Sequence, residues 1–170
     1  MQETDSATSE PPGDAAAPPA TPARLPRRLA ALLYDALLLV ALWMIVTAAL
    51  LPFTGGEAIT WARFPLLSVL LKGLLLGVTV AFYGVFWTRQ GHTLGMASWR
   101  LRLARLDGGL PTWGDSVRRL AAAVLSWVPL GLGWLWCLFD REQRTWHDIL
   151  SRTRVVVVHP RPRHLRPGAA

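Results

Sequence analysis

Arg27-Arg28-Leu29-Ala30-Ala31-Leu32-Leu33-Tyr34-Asp35, followed by the apolar run Ala36 to Leu51, is the stretch that decides the fold. From Leu29 to Leu51 there are 23 residues and one charge, Asp35. At about 1.5 Å per residue this covers a hydrocarbon layer of roughly 30 Å. The two arginines stand where headgroups would lie, and Asp35 follows about two turns further in. A carboxylate at that depth is costly, so it faces protein or water rather than lipid. The stretch reads as the first span of an integral membrane protein.

Composition agrees. Of the 170 residues, 52% are hydrophobic and 17% charged, and nine are tryptophan. A soluble domain carries about 25% charged residues. The net charge is +7, and Lys72 is the only lysine among the 18 basic residues. In a soluble chain such a balance would suggest nucleic acid. Here the arginines cluster beside apolar segments, so anionic headgroups of the bilayer are the expected partner, and nucleic acid is not. The single cysteine, Cys137, lies in an apolar stretch without metal-ligand companions and reads as a small core or lipid-facing residue.

Residues 1–23 are rich in Ala, Pro, Ser, Thr and acids, and read as a disordered, cytoplasmic N-terminal tail rather than a secretory signal. Pro26 opens the first helix, and Pro52 with Gly55-Gly56 ends it. The short loop from Pro52 to Arg63 sets Glu57 against Arg63, and Trp61 and Phe64 suit an interfacial belt. A second span runs from about Pro65 to Trp87. Its one ionisable residue before Trp87 other than Tyr83 is Lys72, and Gly73, Gly77 and Gly84 give it smooth patches for a neighbouring helix. The linker from Arg89 to Arg119 carries six arginines against Asp107 and Asp115. By the positive-inside bias it is cytoplasmic, which puts the first loop outside and Arg24, Arg27 and Arg28 inside.

The third apolar segment, Leu120 to Phe139, is long enough to cross the bilayer but is interrupted by Pro129, Gly131 and Gly133. Residues 140–170 are again basic, with seven arginines against three acids. Trp99-Arg100-Leu101-Arg102-Leu103 alternates with period two, and Thr153 to Val158 is β-branched. The two could pair if they share a side of the membrane. A broken, re-entrant insertion is therefore favoured over a kinked third crossing. The expected class is an all-α membrane protein of two transmembrane helices plus this third segment, with a short cytoplasmic two-stranded pairing. Both termini face the cytoplasm of a multi-pass protein of the cell (inner) membrane, with the membrane domain over 24–159 and a basic tail over 160–170.

These elements, taken in order, resemble the RDD family of membrane proteins, named for one arginine and two aspartates. "RRLAALLYDALLL" matches the family's arginine and first aspartate at Arg28 and Asp35, and "DREQRTWHDILSRTRVVV" matches the second at Asp148. "GHTLGM" over Gly91 to Met96 resembles the family's Gly-x-Thr-x-Gly element; "LRLARLDGG" and Arg118-Arg119 also sit where related chains carry similar elements. Met96 stands where lysine is common, and Ser151-Arg152 replace a small Ala-Gly pair. The resemblance covers about Leu25 to Val158. It implies a membrane location more firmly than an activity, although transport has been suggested for the family.

Arg28 and Asp35, seven apart, share a helix face about 10 Å apart along the axis. Direct pairing would be strained, and water, Tyr34, His92 or Asp148 could bridge them. One reading makes the triad Arg28, Asp35 and Asp148 a fold-specifying polar cluster in a structural or accessory protein. The other makes Asp35 the titrating ligand of an oligomer that moves a small cation or proton, along a path of Asp35, Lys72 and Asp148. Lys72 either snorkels outward or meets Asp35. His147-Asp148 lacks a nucleophile or third ligand beside it, so Trp146 is expected to anchor at the interface while Asp148 accepts hydrogen bonds from an arginine such as Arg28 or from loop N–H groups. Gly91 to Gly95 lacks the Lys-Ser/Thr of a phosphate loop. No enzyme activity, catalytic residue, cofactor or metal is expected. The expected protein partners are copies of this chain or another membrane protein.

Overall fold

The computed structural model describes residues 21–129 and 131–158. Most of the expected N-terminal tail and the basic tail over 160–170 lie outside them.

Two long helices dominate. Helix α1 covers Leu25–Leu50 and α2 covers Pro65–Arg89. A proline sits in the first turn of each, where its missing N–H is no loss. Pro52 tightens the end of α1 into a 3₁₀ turn over Leu51–Thr54, closed by Gly55 at φ 68°. Arg63 and Glu57 form a two-bonded, exposed ion pair across the loop between the helices, at 2.6 Å for each bond. These are the two helices among the described residues that are long and apolar enough to cross a membrane. Only 6% of the most apolar window of each is buried inside the protein, unlike the core helix of a soluble domain. Midway along, Trp43 Nε1 donates to Thr79 Oγ1 at 3.1 Å and joins them.

The buried face of α1 is a single stripe of Arg28, Ala31, Asp35 and Leu39, spaced as one side of a helix requires. The shared face expected for Arg28 and Asp35 is therefore present.

The all-α expectation is too narrow. A three-stranded antiparallel sheet of Thr21–Pro22 (β1), Leu101–Arg105 (β2) and Thr153–Val157 (β3), in the order β1-β3-β2, caps one end of the helix pair. Strand β2 is Leu101–Arg105 and β3 is Thr153–Val157, the two segments expected to pair, with Leu103 opposite Val155. Their alternation turns Leu101, Leu103, Thr153 and Val155 inward and Arg102 and Arg154 outward. The third strand, β1, is Thr21–Pro22, and Ala23 N donates to Val155 O at 3.1 Å. Residues 21–23, read from composition as the end of a disordered tail, thus belong to the fold. The core gathers here from Ala23, Ala31, Trp87, Met96, Leu101, Leu103 and Val155.

Each long strand is entered by the same device. Thr93 precedes the short helix α3 (Leu94–Ser98), and Arg100 in the left-handed region leads into β2. Thr145 precedes α6 (Trp146–Leu150), and Arg152, also left-handed, leads into β3. One offset relates Thr93 to Thr145, Arg100 to Arg152 and Leu103 to Val155, so the Leu103–Val155 pair marks a local two-fold axis. Sequence reading did not detect this duplication, because only the threonines and arginines are identical.

Between the two units, α4 spans Trp113–Leu125, started by Thr112, whose hydroxyl accepts from Asp115 N while Asp115 returns a bond to Thr112 N. At 13 residues it is about 20 Å long. It stops before the interrupted stretch, which forms turns, the four-residue α5 (Leu132–Leu135) and a 3₁₀ turn over Trp136–Leu138. Gly131 has φ 80°, and a Cβ on Gly133 would lie 2.6 Å from Ser126 Cβ, so α5 folds back onto the end of α4. The apolar segment is not one continuous helix. Trp113 packs over Gly84, where a Cβ would meet its ring at 2.1 Å; Gly73 and Gly77 have open space beside them.

Candidate functional site: a buried arginine–aspartate clasp

The sheet and the two short helices bring the charged residues to one end of α1 and α2. Asp148 is 1% exposed. Its Oδ2 accepts from Arg28 Nη1 at 2.5 Å and from Thr145 N at 3.1 Å, and its Oδ1 accepts from Arg119 Nη1 at 2.6 Å. Arg28 Nε donates to Ala23 O at 2.9 Å, fastening β1 to α1. Arg119 Nη1 also donates to Thr153 Oγ1 at 2.8 Å, and its guanidinium lies 5.5 Å from the centre of the Trp87 ring. One carboxylate thus ties α1, α4, α6 and β3 together. Burial raises the Asp148 carboxyl, but the positive charges of Arg119 and Arg28 outweigh it and hold the group well below the usual carboxylate range.

His147 is buried beside it. Its Nε2 lies 2.9 Å from Thr145 Oγ1, and its ring stacks at 4.5 Å, tilted, on Trp134. Burial first, and then Arg119, pull its pKa down to about 3, so the ring is neutral at physiological pH.

Asp35 belongs to a separate contact. Thr93 Oγ1 donates to its Oδ2 at 2.5 Å and Gly95 N to its Oδ1 at 2.9 Å. Thr93 also caps α3 by accepting from Met96 N at 3.2 Å. The Gly-x-Thr-x-Gly element therefore turns the chain, with Gly91 at φ 72°, and also receives the first-span aspartate. None of the bridges considered from sequence joins Arg28 to Asp35. Tyr34 instead stands edge-on to Trp99 at 6.4 Å, and Asp148 meets Arg28 alone of the two. Lys72 is exposed on α2 and makes no ion pair among the described residues.

A cavity of about 250 Å³ lies among α1, α2 and α4, lined at its polar points by Arg28, Asp35, Tyr83, Trp87, Arg119 and His147 and elsewhere by apolar side chains such as Leu32, Leu120 and Val124. Arg119, Thr93, Gly95 and Thr153 are the site residues whose contacts sequence reading did not foresee. The spacing of Asp115, Ser116, Arg119 and Ala122 as one helix face is the signal that singles out Arg119 from Arg118.

Two exposed apolar helices closed at one end by a buried, doubly paired carboxylate define a small helical membrane protein. The chain belongs to the RDD family, whose family model matches residues 22–152. No curated protein and no solved structure matches it.

Proposed function

We propose that this is a non-enzymatic accessory or assembly protein of the cell membrane, whose charged residues lock its cytoplasmic end into one arrangement. The observation that carries this reading is the saturation of Asp148: both oxygens are taken by Arg28, Arg119 and a backbone N–H, and no solvent reaches it. A group so engaged holds structure rather than performing turnover. The partner is another membrane protein or a second copy, met through apolar faces such as that around Gly73 and Gly77.

The same geometry favours a topology. β2 precedes the third apolar segment and β3 follows it, and the two are adjacent strands. Their pairing supports a segment that enters and returns on one side, and β1 brings the N-terminal flank to that side. With the arginine-rich linker cytoplasmic, the N- and C-terminal flanks are cytoplasmic too. Single cysteines at Ala58, Ser98 and Val158 in a Cys137→Ser background test this in intact cells with an impermeant maleimide. Labelling at 58 alone is expected; labelling at 158 but not 98 would mean a third crossing. For the accessory reading itself, affinity purification of the intact protein should repeatedly return one membrane partner or a homo-oligomer, and Asp148→Asn should lose it together with monodispersity.

One observation favours a second reading. Asp35 lines the cavity, as a titrating ligand for a proton or small cation would. Lys72 and Asp148 do not line it, so Asp35 carries this reading alone. Proteoliposomes loaded with a pH dye and given sodium, potassium or proton gradients test it. A well-folded Asp35→Asn that abolishes a wild-type flux would favour transport, and wild-type traces matching empty liposomes would end it.

A further inference from the structure

The polar end of the cavity holds more positive charge than the clasp neutralises. Arg28 and Arg119 are both buried and share one carboxylate, Asp148, and no other described carboxylate bonds to either. His147 is neutral, so the cluster keeps one positive charge in excess. A buried charge without a partner is costly. Asp35 lines the same cavity, but Thr93 and Gly95 hold its carboxyl on the α3 side, and it forms an ion pair with neither arginine. Beside the arginines, Trp87 and His147 are 7% and 3% exposed, yet Trp87 Nε1 and His147 Nδ1 have no partner among the described residues. An indole N–H can only donate, so what the Trp87 edge lacks is an acceptor.

The remaining wall is apolar and reaches the surface: Val124 and Trp127 both line the cavity, and they are 70% and 63% exposed. A ligand here meets cations and a donor inside and hydrocarbon outside. We propose that the cavity binds the phosphodiester headgroup of an anionic membrane phospholipid, with the acyl chains outside along the exposed face of α4. At about 250 Å³ the space is below the roughly 300–1,000 Å³ of sites that enclose a whole drug-sized ligand, so it suits a headgroup and not an entire lipid. Arginine is the side chain suited to phosphate oxygens. A zwitterionic headgroup would bring an ammonium against the excess positive charge. This site adds a ligand to the clasp reading and rests on its topology, with α4 facing lipid; cysteine labelling tests that topology separately.

The experiment is native mass spectrometry of the full chain, delipidated in a maltoside detergent, titrated with dioleoyl phosphatidylglycerol, dioleoyl phosphatidylcholine or inorganic phosphate. One phosphatidylglycerol should be held about tenfold more tightly than phosphatidylcholine. Trp87→Phe keeps the aromatic face under Arg119 but deletes the orphan donor, and should weaken binding about tenfold without lowering the melting temperature much. Ala123→Phe, which fills the cavity from α4, should abolish tight binding. Equal retention of the two lipids would overturn the proposal, as would undiminished phosphatidylglycerol binding in both variants. Displacement of the lipid by an equimolar amount of inorganic phosphate would mark a free-anion site and overturn the lipid assignment.

Discussion

The backbone N–H of Gly95 donates to Asp35 Oδ1 at 2.9 Å, and the approach that permits this leaves Gly95 no room for a side chain. A Cβ there would stand 2.3 Å from Ala31 O. The obstacle is backbone of α1, which cannot rotate aside as a side chain can. Gly95→Ala should therefore cost at least about 1–3 kcal/mol and lower the melting temperature in detergent. Gly114→Ala, whose Cβ would meet only Thr112 Oγ1 at 3.8 Å, should melt as the wild type does. Equal melting of the two variants would show that α3 does not sit so close to α1.

Asp35 and Thr93 make the complementary test. Asp35→Ala strands the Thr93 hydroxyl and the Gly95 N–H, at about 1–3 kcal/mol each. Asp35→Asn keeps an oxygen for Gly95 N–H and can turn its amide towards Thr93 Oγ1. Thermal melts should rank wild type and Asn close together and Ala well below. An Ala variant as stable as Asn would mean that these bonds do not hold α3 to the span.

The clasp predicts non-additivity. Asp148→Asn leaves Arg28 and Arg119 buried without a countercharge and should cost about 3–5 kcal/mol. Removing all three charges together, as Arg28→Met, Arg119→Met and Asp148→Leu, leaves no unpaired ion and should be more stable than Asp148→Asn alone. If the triple variant is the worse of the two by chemical or thermal unfolding, the cluster is doing something other than balancing charge.

How much of this was legible follows from the range of each interaction. The spans were, because 23 nearly uncharged residues leave few alternatives to a membrane helix. So was the shared face of Arg28 and Asp35, since helical period is local. Their partners were read unevenly. Asp148 meets Arg28 across 120 positions and also a loop N–H, as an aspartate beside Trp146 was expected to do. Asp35 meets Thr93 and Gly95 across 58 and 60 positions, and nothing local to Asp35 points to either. The β2–β3 pairing was readable from Leu-Arg alternation and the valine run, whereas the two residues of β1 are too few to show any pattern. Arg119 hid in a pair. Only its place on the buried face of α4 separates it from Arg118, which is exposed and bonds to Asp115 at 2.5 Å. The start of α4 was missed although Thr112 and Asp115 have the spacing of a capping box.

His147 should make stability depend on pH in the mildly acidic range. Its ordinary pKa of 6.5 falls to about 3 in the folded chain, chiefly through burial and secondly through Arg119. Between those values the unfolded chain binds a proton that the folded chain refuses, so stability falls as pH drops below about 6.5, by at most about 1.4 kcal/mol per unit. Asp148 acts in a lower window. Its folded pKa is depressed below the ordinary 3.8, so its contribution is intact above that value and is lost only as pH falls further. Melting temperatures from pH 7.5 to 4.5 thus cover the histidine's window and stay above that of Asp148. His147→Gln, which cannot titrate, should start from a lower melting temperature because it gives up the contact with Trp134, yet its curve should be flatter across this range. The same acid-induced drop in wild type and His147→Gln would assign the effect to another group.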